Sequence, residues 1–298
     1  MPTLHGAPLI LDGQATAEQI REELRELNRL RIQSGQRPPH LTAVLVGNDG
    51  GNETYVAHKI KACASVGFGS EIVRLDSSVT QKELMEVVHR LNQDPGVDGY
   101  IVQLPLPSHL DATEVNLAIL PTKDVDGFHP VNLGRMALGL PCYKPATPSG
   151  ILELIHRNRI DIRGMHAVVL GRSPIVGSPL AQMLSRNTTP GNCTVTLCHS
   201  RTVDLKEHCR RADLLVAALG QPGFVTADMV RPGAVVIDVG TTRVEDPSKR
   251  SGYALRGDVC FEEVAPLCRA ITPVPGGVGP MTIAMLLKNT LLARQRRA

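Results

Sequence analysis

The chain predicts an α/β protein in two lobes, each built on a parallel sheet. Three observations carry this. Short apolar, β-branched runs alternate with helical periods along most of the 298 residues. HAVVLGRSPIVGSP, 166–179, passes from such a run through a glycine-bearing turn into a helix start. Two stretches without period, KDVDGFHPVNLGR (123–135) and PVPGGVGP (273–280), interrupt the alternation as a hinge and a crossing would.

In chain order, Pro8 to Leu11 reads as a short strand and Thr16 to about Arg31 as a helix, with Ile20, Leu24 and Leu27 on one face. Leu41 to Val46 is a buried strand, Gly47 to Gly51 a loop, and Glu53 to about Val66 a helix stopped by Gly67. Glu71 to Leu75 is a strand and Gln81 to Leu91 an amphipathic helix. Tyr100 to Leu104 is a strand broken by Pro105 and Pro107. The 123–135 stretch reads as an ordered loop, and Ser149 to Ile155 opens a helix. Beyond it lie strands at Ala167–Leu170, Cys193–Cys198, Leu214–Ala218 and Ala234–Val239, a surface excursion at Arg243–Gly252, and a closing helix from Thr282 to about Arg294.

The bulk composition excludes several classes. With 42% hydrophobic residues but four Tyr, four Phe and no Trp, the core must be aliphatic. A formal charge of +3, with no basic run interleaved with aromatics, argues against a nucleic-acid partner. The basic residues 294–297 read as a solvated tail. Seven cysteines without a C-x-x-C pair argue against a zinc site and a disulfide framework. No basic-then-apolar leader opens the chain and no apolar run reaches membrane-spanning length, so a soluble cytoplasmic protein is expected.

The 166–179 unit is the first βα turn of a dinucleotide-binding fold, or an ordinary strand–helix turn. A helix N-terminus there offers free N–H groups and a positive dipole end to a diphosphate. The fingerprint is altered: around Gly171, Arg172 and Ser173, serine takes the place of the middle glycine of G-x-G-x-x-G. The end of the second strand decides the cofactor. An acidic residue that would hold free ribose hydroxyls is missing, and His199, Ser200 and Arg201 stand there instead. A hydroxyl and a guanidinium, with Arg172 on the neighbouring turn, suit a ribose 2′-phosphate, so NADP is expected.

Tyr55 and Lys59 share a helix face at i, i+4, beyond a strand's carboxyl end. Such a pair is a surface pair or, in an occluded cleft that lowers the lysine pKa, a catalytic one. Gln103, at a strand end, either partners Lys59 or caps the proline turn. Asp124 and Asp126 have only His129 as a further donor, so a metal site is not expected. PVPGGVGP allows close backbone approach to a ligand or serves as a rigid linker.

These residues resemble a known family over essentially the whole length. TYVAHKIKAC (54–63), DGYIVQLPLP (98–107), KDVDGFHPVNLGR (123–135), GRSPIVGSP (171–179), VVIDVG (235–240), GDV (257–259) and ITPVPGGVGPMT (271–282) resemble the motifs of the bifunctional methylenetetrahydrofolate dehydrogenase/methenyltetrahydrofolate cyclohydrolases. The resemblance implies an N-terminal α/β catalytic lobe, a Rossmann-like lobe, a cleft between them and a C-terminal helix packing back on the first. The expected divisions are 1–146 plus 276–298 for the folate lobe and 147–275 for the NADP lobe. It implies Lys59 as acid/base, Gln103 tuning it, Tyr55 stacking near the folate, and Asp126 anchoring the pterin. Val102, Leu104, Pro275, Gly276 and Gly277 would line the folate site, and Thr241 would touch the cofactor by its backbone. A homodimer is implied.

The chain departs from the family pattern in four places. GGNET precedes Tyr55 where a serine is usual three residues before it, and Ala146 replaces a frequent cysteine. The insertion Thr188–Asn192 is similar to the mitochondrial branch, some of whose members use NAD with magnesium and phosphate. Thr241 replaces an isoleucine. A short-chain dehydrogenase also pairs Tyr and Lys at this spacing, but after its glycine-rich loop. Here the pair comes before. A catalytically dead folate or nucleotide sensor would have lost Tyr55, Lys59 or Gln103, and all three are present.

Overall fold

The computed structural model describes residues 7–48, 50–249 and 252–296. The chain begins with β1 (Leu9–Ile10), α1 (Gly13–Gln33), β2 (His40–Val46), α2 (Gly50–Ser65), β3 (Gly69–Leu75), α3 (Gln81–Gln93) and β4 (Gly99–Val102). It continues through α4 (Ala112–Ala118), α5 (Pro130–Leu138), α6 (Ala146–Arg157), β5 (His166–Leu170), α7 (Gly177–Ser185), β6 (Thr194–Cys198), α8 (Leu205–Arg210) and β7 (Leu214–Ala217). β8 (Val235–Asp238), β9 (Thr242–Glu245), β10 (Tyr253–Arg256), α9 (Phe261–Val264), β11 (Ala270–Ile271) and α10 (Val278–Gln295) complete it. No helix among the described residues is long and apolar enough to cross a membrane.

Two compact α/β units result, Glu18–Ala146 with Ile283–Ala298 and Met1–Ala17 with Thr147–Thr282. The first holds a parallel sheet in the order β3-β2-β4. Val44, Val46, Leu84, Val88 and Tyr100 form its core on one side, where α3 lays its apolar face. α3 starts where the sequence allows a capping box: Thr80 accepts from the Glu83 N–H, and the Glu83 carboxylate accepts from the Thr80 N–H. The closing helix belongs here by its later turns. Asn289 on α10 donates to the carbonyls of Val125 (2.8 Å) and Lys144 (3.0 Å).

The second unit holds a six-stranded parallel sheet, β1-β11-β8-β7-β5-β6. Its central strands are fully buried, which is why they read as unbroken apolar runs. From β5 the chain goes outward to β6, then returns to the other side of β5 as β7. That reversal is a topological switch point, and it opens a crevice at the carboxyl ends of β5 and β7.

Several local expectations are corrected. Residues 123–135 are not all loop: Pro130 at the first helical position and the His129 ring, which accepts from the Val131 N–H, start α5. α2 begins at Gly50 rather than Glu53, although Asp49 of the expected 47–51 loop lies outside the described residues. The surface excursion is an antiparallel β9–β10 hairpin, apart from residues 250 and 251, which also lie outside. The basic tail is not wholly solvated, because Arg296 lies over the Tyr143 ring at 4.7 Å; Arg297 is outside the described residues. β1 pairs with β11, which groups residues 7–17 with the six-stranded sheet, and the second crossing falls at 282/283. The expected divisions had placed 1–17 with the first lobe and that crossing at 275/276.

Candidate active site

α2 follows β2 at its carboxyl end and brings Tyr55 and Lys59 onto one face. Lys59 is 5% exposed, and its Nζ lies 5.1 Å from the centroid of the half-buried Tyr55 ring. Nζ donates to Gln103 Oε1 at 3.1 Å. Gln103 follows β4, where its N–H donates to the Val44 carbonyl and continues the ladder with β2. Its Nε2 donates to the Leu104 carbonyl (2.7 Å) and to Asn52 Oδ1 (3.5 Å), and Asn52 Nδ2 reaches the Pro105 carbonyl (3.2 Å). One end of the Gln103 amide ties down the turn, which fixes the oxygen of the other toward Lys59. A buried amine needs such an acceptor.

Burial pushes the Lys59 amine below the ordinary lysine range, opposed by the nearby Asp126 charge and by Cys63. Burial likewise pushes the Asp126 carboxyl up, opposed by Lys59 and reinforced by Asp124. Cys63, one turn along α2 and fully buried, has its thiol pushed up to about 12 and stays protonated. Burial thus disfavours the charged form of both the amine and the carboxyl, and each charge in turn favours the other.

Asp126 is held by a residue that sequence reasoning left without a role. Asp124, 2% exposed, accepts from the N–H groups of Gly127 (3.0 Å), Phe128 (3.1 Å) and His129 (2.8 Å), and from Asn132 Nδ2 (2.8 Å). Its carboxylate thus closes the turn on which Asp126 sits, and Gly127 supplies the positive φ of +76°. Asn52 was the other omission, hidden in a segment noted only for departing from the family. Val102, Leu104 and Asp126 line one small cavity with Tyr100 and Phe128.

The second unit carries the remaining predicted residues. Gly171 has φ +105°, and a Cβ there would stand 2.2 Å from the Ala218 carbonyl oxygen. A Cβ on Gly177 would stand 1.9 Å from the Gly171 oxygen. Both glycines are required by close approach. Ser173, in place of the middle glycine, accepts from the N–H groups of Val176 (3.2 Å) and Gly177 (3.4 Å), shaping the start of α7. The Gly171 N–H donates to the Cys198 carbonyl, so the turns after β5 and β6 are neighbours. Arg172, Ser200 and Arg201 are exposed at these strand ends, and Thr241 is exposed after β8. Pro275, Gly276 and Gly277 lie in this unit too, where the Gly276 carbonyl accepts from the Gln14 N–H (3.0 Å).

Two family models account for nearly the whole chain. Residues 11–126 match the catalytic domain of tetrahydrofolate dehydrogenase/cyclohydrolase, and residues 145–298 match its NAD(P)-binding domain. The chain belongs to the tetrahydrofolate dehydrogenase/cyclohydrolase family. The bifunctional protein FolD of Porphyromonas gingivalis is 58% identical over 284 residues, covering 95% of this chain and 96% of that protein. The one from Bacteroides fragilis is 57% identical over 287 residues, covering 96% and 98%. Among solved structures, FolD from Campylobacter jejuni has a TM-score of 0.91 at 43% identity, covering 98% of this chain and 100% of that one. FolD from Trypanosoma brucei, solved with NADP cofactor and inhibitor, has a TM-score of 0.93 at 41% identity, covering 100% and 99%. The protein is a bifunctional enzyme of folate one-carbon chemistry, a methylenetetrahydrofolate dehydrogenase and methenyltetrahydrofolate cyclohydrolase.

Replacing Asp124 by Ala leaves three backbone donors and an amide without their acceptor. The variant is expected to lose about 1–3 kcal/mol in denaturant unfolding and at least tenfold in turnover. Unchanged stability and turnover would show that Asp126 does not depend on this turn.

Proposed function

We propose that Lys59 is the acid/base of the cyclohydrolase half-reaction, that Gln103 and Asp126 set its protonation, and that the dehydrogenase half-reaction uses NADP. The observation that carries this is the buried Lys59 amine held on Gln103 Oε1. In the dehydrogenase half, the one-carbon unit bridging two folate nitrogens gives up a hydride, which the nicotinamide accepts when bound. The product carbon is a cation shared by both nitrogens, so the protein's task there is mainly positioning. Tyr55 offers an aromatic face to the folate, Asp126 anchors the pterin, and Val102 and Leu104 line the folate site.

Hydrolysis needs proton transfer. Water oxygen bonds to the cationic carbon while a water proton passes to the neutral Lys59 amine. The resulting ammonium then protonates one folate nitrogen as its bond to the carbon breaks, and the hydroxyl proton of the intermediate leaves to solvent as the formyl group forms. A permanent ammonium would repel the cationic intermediate, which is the reason for a buried amine.

For the cofactor, the tight turn that Gly171 and Gly177 permit and the start of α7 suit a diphosphate. Gly171, Arg172, Ser173 and Thr241 would hold it, with Ser200 and Arg201 on the 2′-phosphate. The absence of a carboxylate after β6 supports NADP over NAD. A homodimer in the cytoplasm, without nucleic-acid or membrane partners, completes the reading; the family resemblance and the small net charge support it.

Absorbance at the methenyl-folate band tests the central assignment. Lys59→Met is expected to abolish hydrolysis of supplied methenyltetrahydrofolate, and residual hydrolysis within tenfold of wild type would overturn the role of Lys59. Arg201→Ala is expected to raise KM for NADP about ten- to hundredfold and leave KM for NAD unchanged, since a charged hydrogen bond contributes about 1.5–3 kcal/mol. Equal effects on both cofactors would overturn the 2′-phosphate assignment.

A further inference from the structure

The crevice at the switch point has two walls. One is the Gly171–Val176 turn after β5. The other is the backbone after β7, beginning at Ala218, whose carbonyl the Gly171 turn approaches so closely that no Cβ fits. This second wall, Leu219–Gly220–Gln221, has no side chain that reading the sequence singled out. Its backbone N–H groups nevertheless all converge on one carboxylate. Asp258, 0% exposed, accepts from Leu219 N–H at 2.6 Å, Gly220 N–H at 3.1 Å and Gln221 N–H at 2.7 Å.

Asp258 is itself fixed by a second buried carboxylate. Asp238, at the end of β8 and 4% exposed, accepts from the N–H groups of Asp258, Val259 and Gly240, each at 2.9 Å. Its own N–H donates to Thr272 Oγ1 (2.7 Å) beside β11. The packing leaves no slack. A Cβ on Gly257 would stand 1.9 Å from Asp238 Oδ2, and one on Gly240 would stand 2.5 Å from the Asp258 N and Oδ1 atoms. Burial of two neighbouring carboxylates is costly, and the Asp238 carboxyl is pushed up to about 6 by burial despite its three N–H partners. The arrangement of the two carboxylates makes sense as a means of holding three consecutive amides in a fixed curve at the crevice.

We propose that Asp258, seated by Asp238, is a positioning residue for the dinucleotide: it holds the Leu219–Gln221 backbone as the second wall of the cofactor crevice. The inference rests on the NADP reading above and deepens it. It ties the GDV motif (257–259) and the end of VVIDVG (235–240) to cofactor binding through backbone geometry rather than direct contact.

The two activities of the enzyme separate this role from a merely structural one. Hydrolysis of supplied methenyltetrahydrofolate consumes no dinucleotide, and its proposed residues Lys59, Gln103 and Asp126 lie in the other unit. Asp258→Asn exchanges one carboxylate oxygen for a donor that faces the three amides. The expected result is a KM for NADP raised about ten- to hundredfold, matched by weaker NADP binding in calorimetry, with KM for both folates unchanged. An unchanged KM for NADP, or a parallel loss of hydrolysis, overturns the proposal. Gly220→Ala provides a second route should Asp258→Asn fold poorly. Gly220 has φ +67° with open space around its Cβ position, so the substitution strains the wall without touching either carboxylate. It too is expected to raise KM for NADP at constant hydrolysis, and no change there overturns the proposal. Wild-type protein that binds no NADP overturns both this inference and the cofactor reading; wild type that binds it with Asp258→Asn unaffected overturns only the former.

Discussion

The amine of Lys59 sits where an ammonium is poorly solvated, and one amide oxygen, Gln103 Oε1, meets it at 3.1 Å. Much of the first unit is arranged so that this contact exists. α2 must leave β2 at the angle that turns Lys59 inward. β4 must stop at Val102 so that Gln103 follows it, and the Leu104 carbonyl must hold the other end of the Gln103 amide. Burial lowers the amine's proton affinity and the Asp126 carboxylate restores part of it. An amine whose charged form is disfavoured by burial fits the base that the proposed hydrolysis requires.

A second device recurs in both units. A buried carboxylate gathers consecutive backbone N–H groups and so freezes a turn. Asp124 does this for residues 127–129, and Asp258 for residues 219–221, with Asp238 beneath it. Charge-assisted hydrogen bonds of this kind offset the desolvation of the carboxylate, and they order a loop more firmly than solvent-facing turns can. Asp126 and the backbone beside Gly220 are thereby placed by buried neighbours.

The parallel sheets were legible because their central strands are buried on both faces and read as apolar runs. The βα turn at 171–177 was legible because close approach demands glycine. Two kinds of feature were not. β1 and β11 are two-residue strands, too short for any period, so nothing in Leu9–Ile10 announces which sheet they join. α5 was masked by its own composition, since Pro130, Asn132 and Gly134 read as loop until His129 is seen to cap it. At the site, the i, i+4 spacing brought Tyr55 and Lys59 together, and the apolar strand before Gln103 made its amide conspicuous. The carboxylates that gather N–H groups left no such mark, because their partners are backbone atoms and any residue type supplies those.

The most direct test of the account is the protonation of Lys59 itself. Nitrogen-15 NMR of the lysine side chains, with the Lys59 signal assigned by its absence in Lys59→Met, would follow the amine through a pH titration of the folate-free enzyme. The account predicts a midpoint clearly below the ordinary lysine value of about 10.4. A midpoint at or above that value would mean that Lys59 remains an ammonium throughout, and would contradict its role as the base that activates water.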